Sequence, residues 1–488
     1  MKKPLLLFLL PILALAMVCK KPTVPTSPAA AAGEPAGPFP DPVYYDLKID
    51  TDYEAGTITG DCLLRLKNSA KVAVASVPLN LYRLMEVVSV TDGSGQALKF
   101  TQSVRIFEDW REFQVNHIRV PLGTPLAPGG ETALRIKYAG PLLGYAEAMR
   151  YVKDHVGPDL TLIRTDSLAF PQIGVPSWKT NRAAGLKDYS FTVSLTVPST
   201  HVVANAGDLV SKSEKDGRTT YVYKSRVPSW RIDLAAADYE VIEGGAGRFR
   251  VFAFPGDAAG GRALLGSLTD ALALYTRWFG PLDAFSGLTV IEVPDGYGSQ
   301  ADAAAVIQEA GAFKNPEARD KFYHELAHLW DVPAKDPLPC RFESEGLATF
   351  LEHLLQEKLE GKPGACVRDV RSTLAYLAKQ FAKHPDWRAV PMIDYGVKDL
   401  TDLSYTVGQV FFYLLYDRLG EEEFLKTIAG FKHDYRGTGA TTRQFVESVR
   451  KRATVDVGRL CEEWVFTPRA AELIVSGTSL EELSRRYR

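Results

Sequence analysis

The residues most able to do chemistry are two histidines four apart with a carboxylate beside the first, His324-Glu325-x-x-His328. A helix turns once in about 3.6 residues, so both imidazoles project from one face. At that spacing both can reach one Zn²⁺ at about 2.0–2.1 Å. Glu325 would flank the ion without binding it, which sets a carboxylate beside metal-bound water. The same three residues on an ordinary exposed helix would do nothing, so a third ligand is needed. The stretch FESEGLATFLEHLLQEKLEG, residues 342–361, offers Glu343, Glu345 and Glu352. Any of them would complete a His₂Glu site with the fourth position open, and spacing alone does not choose.

Two helices must position these groups. For the first, Asn315 is a cap, Pro316 suits the first helical position and Glu317 favours the positive end of the dipole. Phe322, Tyr323, Leu326, Leu329 and Trp330 supply packing, and Pro333 ends the helix. For the second, Leu347, Phe350, Leu351, Leu354 and Leu355 form an apolar stripe closed by Gly361 and Pro363. Pro337 and Pro339 make the connection irregular and let the second helix fold back on the first.

The N-terminal half has a different texture. In TITGDCLLRLK, Ile58, Cys62, Leu64 and Leu66 share one face; in SFTVSLTVP, Phe191, Val193, Leu195 and Val197 do. This period of two marks half-buried strands. Turn signals at 92–96, 127–130 and 215–218 separate them, which predicts a β-sandwich-like domain over 43–242. From 243 to 488 a short strand, a helix near 260–279 and the strand LTVIEV precede mostly helical sequence, so an α+β domain is expected. The chain start reads as an export segment, 1–19, with Lys2 and Lys3 before an apolar run. It ends either at a small-residue cleavage site around Ala14-Leu15-Ala16 or at Cys19, which resembles a lipoprotein cysteine. Residues 20–42 are rich in Pro and Ala and form a tether.

The 488 residues are 46% hydrophobic and 24% charged, with a net charge of −2. That balance suits a globular protein and gives no basic field for nucleic acid. Contact with a membrane is expected only through a lipid anchor at Cys19. Of the five cysteines, the four after Cys19 are scattered. Buried free thiols and one Cys340–Cys366 disulfide are equally good expectations.

His324-Glu325-x-x-His328, Trp330 and Glu345-Gly346-Leu347-Ala348-Thr349-Phe350 together resemble the zinc-dependent alanyl/leucyl aminopeptidase family of the gluzincin clan. The resemblance implies Zn²⁺ held by His324, His328 and Glu345, although the gap before Glu345 is two residues shorter than usual. SYTVGQVFFYLLYDRLGEEEF, 404–424, is similar to the family's tyrosine segment and puts its transition-state tyrosine at Tyr405. The N-terminal strands resemble the family's saddle-shaped domain, followed by a thermolysin-like catalytic domain. The likeness covers about residues 43–470, and the large C-terminal helical domain of longer members is expected to be absent. Two features depart from the pattern. The family's G-x-M-E-N, whose glutamate holds the substrate amine, is replaced by GYGSQADAAAVIQE at 296–309, with Gln300 or Ala301 at the glutamate's place. Gly298 and Gln300 are expected along the substrate cleft. In the β-domain, Asp166 is the only acidic candidate for the second amine contact.

The expectation is therefore an exported zinc metallopeptidase acting on a peptide or protein substrate, with Glu325 and Tyr405 catalytic and amine recognition altered. The alternatives are an endopeptidase or substrate-specific processing peptidase, and a non-catalytic surface binding protein on the same scaffold.

Overall fold

The computed structural model describes residues 37–283 and 285–488; the export segment, Cys19 and most of the tether lie outside them. The sheet-rich N-terminal part is built on a seven-stranded sheet. In spatial order its strands are Asp208–Lys215, Arg218–Lys224, Ser190–Pro198, Asp41–Asp52, Thr57–Lys67, Glu131–Pro141 and Glu86–Asp92. Pairing is antiparallel except where Asp41–Asp52 runs parallel to Ser190–Pro198, with Leu47 opposite Val193. A four-stranded sheet is ordered Thr101–Phe107, Trp110–Leu126, Val74–Tyr82 and Gln172–Ile173. The alternating residues read from sequence face inward. Ile58, Cys62, Leu64, Leu66, Phe191, Val193, Leu195 and Val197 join one core with Leu79, Val115 and Ile118 of the four-stranded sheet. The turn signal at 215–218 closes the hairpin of Asp208–Lys215 and Arg218–Lys224, and the one at 127–130 carries the chain from Trp110–Leu126 of the four-stranded sheet to Glu131–Pro141 of the seven-stranded one.

A three-stranded sheet, Val202–Ala204, Asp233–Ala237 and Thr161–Arg164, rests on the next sheet through Leu162, Ala235, Tyr239, Phe252, Ile291 and Ile307. That next sheet is five-stranded: Glu240–Gly244, Phe249–Ala253, Leu288–Val293, Ala305–Glu309 and the edge strand Gln300–Ala301. Its three central strands are parallel and the edge strand is antiparallel. Glu240–Gly244 straddles the 242/243 boundary read from sequence and pairs into this later sheet.

Helices follow. Ala258–Phe279 packs on the sheet and on the histidine-bearing helix, whose Tyr323 carbonyl accepts a hydrogen bond from the Tyr275 hydroxyl at 2.9 Å. Cys62, Cys340, Cys366 and Cys461 are buried free thiols, so Cys340 and Cys366 are not joined. Among the described residues, no helix is long and apolar enough to cross a membrane.

Candidate active site

The histidines sit on a shorter helix than the capping signals suggest. Asn315 caps only a 3₁₀ turn, Pro316–Ala318, by accepting from the Glu317 N–H at 3.0 Å. The α-helix proper is Asp320–Ala327, and His328–Trp330 continues as a 3₁₀ turn. His328 thus stands where the helix tightens, one turn beyond His324. Trp330 is fully buried and donates to the Gly280 carbonyl at 2.9 Å, which pins the end of the segment.

Glu345 lies on a π-helical turn, Phe342–Gly346, that leads into the helix Leu347–Leu359. All five residues of the predicted apolar stripe are buried. A widened turn of this kind re-aims one side chain without breaking the helix. Glycines let a third element come close. A Cβ on Gly346 would stand 2.6 Å from the Gly408 Cα, and one on Gly408 would stand 2.9 Å from the Gly346 Cα. The two backbones touch, and this brings the helix Leu403–Leu419, carrying Tyr405, against the turn carrying Glu345. The Glu-Gly and Tyr-x-x-Gly spacings therefore have a steric cause.

The three ligand candidates converge: one ligand atom from each of His324, His328 and Glu345 lies within 4.8 Å of the others. Glu345 Oε2 is 3.3 Å from His324 Nε2 and 3.4 Å from His328 Nε2. The opposite ring nitrogens are held by carboxylates. His324 Nδ1 is 2.9 Å from Glu352 Oε2, and His328 Nδ1 is 2.9 Å from Asp331 Oδ2. Asp331 also accepts from the Ser344 hydroxyl at 2.6 Å. Carboxylates on both Nδ1 atoms fix the rings with their Nε2 lone pairs turned inward, the arrangement that supports metal-bound histidines. Of the rival carboxylates, Glu352 orients an imidazole and Glu343 approaches the Cys340 thiol at 3.7 Å.

Electrostatics agree with a cation site. Burial works against a charged His324, yet Glu345 and Glu352 outweigh it and push its pKa up to about 9. Burial also opposes the charge on Glu345, but Arg341 and His328 hold its carboxyl well below the usual range. Such a pocket favours positive charge, and a metal taking these ligands would displace the protons. The donor set, two imidazole nitrogens and one carboxylate with supported rings, fits zinc. Glu325 is buried at 8% exposure and its carboxyl is raised by that burial. Its carboxylate accepts no hydrogen bond from a described residue. The Tyr405 ring stacks parallel to His324 with centroids 5.9 Å apart, and burial, then the charge of Glu345, raises the pKa of its phenol.

The expected substrate groups have a different setting. Gly298 adopts φ +76°, and a Cβ there would lie 3.0 Å from Tyr151 Cβ, so the loop lies flat on Tyr151. Gln300 is on the edge strand, but its carbonyl is engaged: Arg231 Nη2 donates at 2.9 Å and Arg164 Nη1 at 3.3 Å. Arg231 also pairs with Asp166 at 2.9 Å, and Arg164 with the fully buried Asp154 at 2.7 Å. Asp166 and Gln300, read separately from sequence, are thus neighbours in one network. The sequence reading missed Asp331, Arg341, Tyr151 and the two buried arginines. Asp331 had a signal, three residues after His328, and Glu352 stands two turns after Glu345 on the same face.

No protein-family model matches the chain. It is 22% identical over 455 residues to the mitochondrial aminopeptidase 2 of Saccharomyces cerevisiae, covering 87% of this chain and 46% of that protein. It is 24% identical over 458 residues to aminopeptidase M1-B of Oryza sativa subsp. japonica, covering 87% and 49%. The chain therefore spans about half the length of the curated relatives it matches. In fold it is similar to an M1 zinc metallopeptidase from Deinococcus radiodurans, with TM-score 0.62, 19% identity and coverage of 90% of this chain and 94% of that one. A variant of that metallopeptidase bound to a Tyr-Ser-Ala substrate superposes with TM-score 0.61 and 19% identity over 88% and 94% of the two chains. The family resemblance seen in the motifs is thus matched by M1 aminopeptidases in sequence and by M1 zinc metallopeptidases in fold, both at low identity.

Proposed function

We propose that the chain is a zinc-dependent peptidase of aminopeptidase type whose recognition of the substrate N-terminus is altered. The observation that carries this reading is the convergence of His324 Nε2, His328 Nε2 and Glu345 Oε2 beside an unencumbered Glu325. His324, His328 and Glu345 would hold the ion, which supplies Lewis acidity toward a water and toward the scissile carbonyl. Glu325, whose burial raises its carboxyl pKa, takes the proton of the attacking water and delivers it to the leaving nitrogen. Tyr405, a phenol kept protonated by burial, donates to the developing oxyanion. Glu352 and Asp331 keep the imidazoles in one tautomer and orientation. The edge strand at Gln300–Ala301 and the Gly298 loop line the substrate path. We take the N-terminal part as the saddle-type domain and the part from about residue 243 as the thermolysin-like catalytic domain.

One observation favours an endopeptidase as the second reading. A free ammonium calls for an uncommitted carboxylate, whereas Gln300 is neutral and Asp166 already faces Arg231. We also propose export, from residues 1–19, with Cys19 as the lipidation point. The test is incubation of metal-quantified protein with a mixed peptide library, in free and N-acetylated forms, read by mass. Zinc-dependent cleavage supports the peptidase. Faster loss of the first residue from free peptides supports the aminopeptidase form, and equal cleavage of acetylated peptides supports the endopeptidase. Full metal with no cleavage would contradict both.

A further inference from the structure

We propose that the cleft at this site contains a carboxylate-recognition subsite made by Arg182 and Arg341, which selects peptides with a carboxylate close to the scissile bond. This deepens the peptidase reading and rests on it. Arg341 belongs to the helical part, immediately before the turn that carries Glu345. It holds a left-handed backbone, φ 70°, a conformation uncommon for a residue with a side chain and one that marks strained functional positions. One guanidinium nitrogen, Nη2, donates to Glu345 Oε1, the oxygen not shared by the imidazoles. A guanidinium has five N–H donors, and the others on Arg341 have no acceptor among the described residues. Its side chain is 31% exposed.

Arg182 comes from the N-terminal part, in the last turn of the short helix Trp178–Ala183. No carboxylate and no hydrogen-bond acceptor engages its half-buried guanidinium among the described residues; its contact is the Trp178 ring, 4.9 Å away. Its helix is fixed to the helical part by Lys179 on Asp399, four residues before the helix that carries Tyr405, at 2.8 Å, and the charges that act on Arg182 are those of Arg341 and Glu345, with the phenols of Tyr151 and Tyr405. Burial, then the like charge of Arg341, lowers its affinity for its own proton.

The segment presenting Arg182 is firmly built. Asp109 accepts from the Trp178 and Lys179 N–H groups at 2.8 and 2.7 Å. Asn181 exchanges two hydrogen bonds with Val175, and Lys179 reaches Asp399 of the helical part at 2.8 Å. A rigid, half-buried cation without a counter-ion, set near a second one, is costly unless an anion joins them. Planar guanidiniums match a carboxylate geometrically. The negative charge of Glu345 is committed to its ligand role, which leaves the remaining donors of both guanidiniums for an incoming anion. The neutral Gln300 fits the same change: selection has moved from a cationic to an anionic group.

The test uses two peptide pairs with the zinc-loaded protein. One pair differs by Glu against Gln beside the scissile bond, the other by a free against an amidated C-terminus. Wild type is expected to prefer one carboxylate form by about tenfold or more in kcat/KM, and the pair that shows it identifies a side chain or a main-chain terminus as the source. Arg182→Gln should collapse that ratio to near unity, and Arg182→Lys should restore part of it, a split that mere loosening of the fold would not produce. Calorimetry of the same peptides on the zinc-loaded Glu325→Gln protein should rank them identically. Cleavage with no carboxylate preference, or a preference untouched in Arg182→Gln, would overturn the subsite and leave the peptidase reading standing. Arg182-dependent binding of a carboxylate form without turnover by wild type would uphold the subsite and overturn the peptidase.

Discussion

Two buried polar clusters, one around Arg164 and Arg231 and one around His324 and His328, differ in what their partners leave over, and that difference explains what each does. In the Arg164–Arg231 network every charge faces an opposite charge: Asp154 on Arg164, Asp166 and Asp233 on Arg231, and Gln300 between them. It is saturated, and it ties the three-stranded sheet to the edge of the five-stranded one. In the His324–His328–Glu345 cluster the outer atoms are saturated and the inner ones are not. Glu352, Asp331 and Arg341 use the Nδ1 atoms and Oε1, which leaves two Nε2 atoms and Oε2 aimed at one point. Similar residue types give a structural brace in one place and a cation site in the other, according to which lone pairs are left over.

The sharpest way to separate the clusters is Glu325→Gln. It should keep its zinc and lose turnover by roughly 10³- to 10⁴-fold, checked by metal content and steady-state rates on one preparation. Asp154→Asn attacks the brace instead. It strands a fully buried Arg164 and should cost about 3–5 kcal/mol in urea unfolding, while zinc affinity stays close to wild type. Tyr405→Phe removes one hydroxyl beside Glu345 and should lower kcat by roughly 10²-fold with little change in KM. Glu352→Gln keeps the shape but loses the charge behind His324. It should weaken zinc about 10- to 100-fold in chelator competition without unfolding the chain.

Much of the site was legible because its logic is local. The His324–His328 pair is set by helical periodicity, and Glu345 and Tyr405 by their short motifs. The periodicity did not reveal that the helix tightens at His328 or that Glu345 rides a π turn, and the second accompanies a tertiary contact, Gly346 against Gly408, that a local pattern does not carry. The β-strands were legible from alternation, as at Cys62, Leu64 and Leu66, because one face of each strand is buried. Arg182, Tyr151 and Arg341 were not. They come from segments far apart in sequence, and only the docking of Trp178–Ala183 through Lys179 and Asp399 makes Arg182 part of the same neighbourhood. The sequence places Gln300 along the cleft; its side-chain carbonyl belongs to the brace, because its guanidinium partners Arg164 and Arg231 lie in distant segments.

The central claim is that the three inward-facing atoms bind a single divalent ion. It is tested most directly by zinc content after exhaustive dialysis of zinc-loaded protein, wild type beside Glu345→Ala and a His324→Ala, His328→Ala double variant. The account predicts one tightly held ion per wild-type chain, a sharp loss in Glu345→Ala and no bound ion in the double variant. Equal zinc in all three would contradict it.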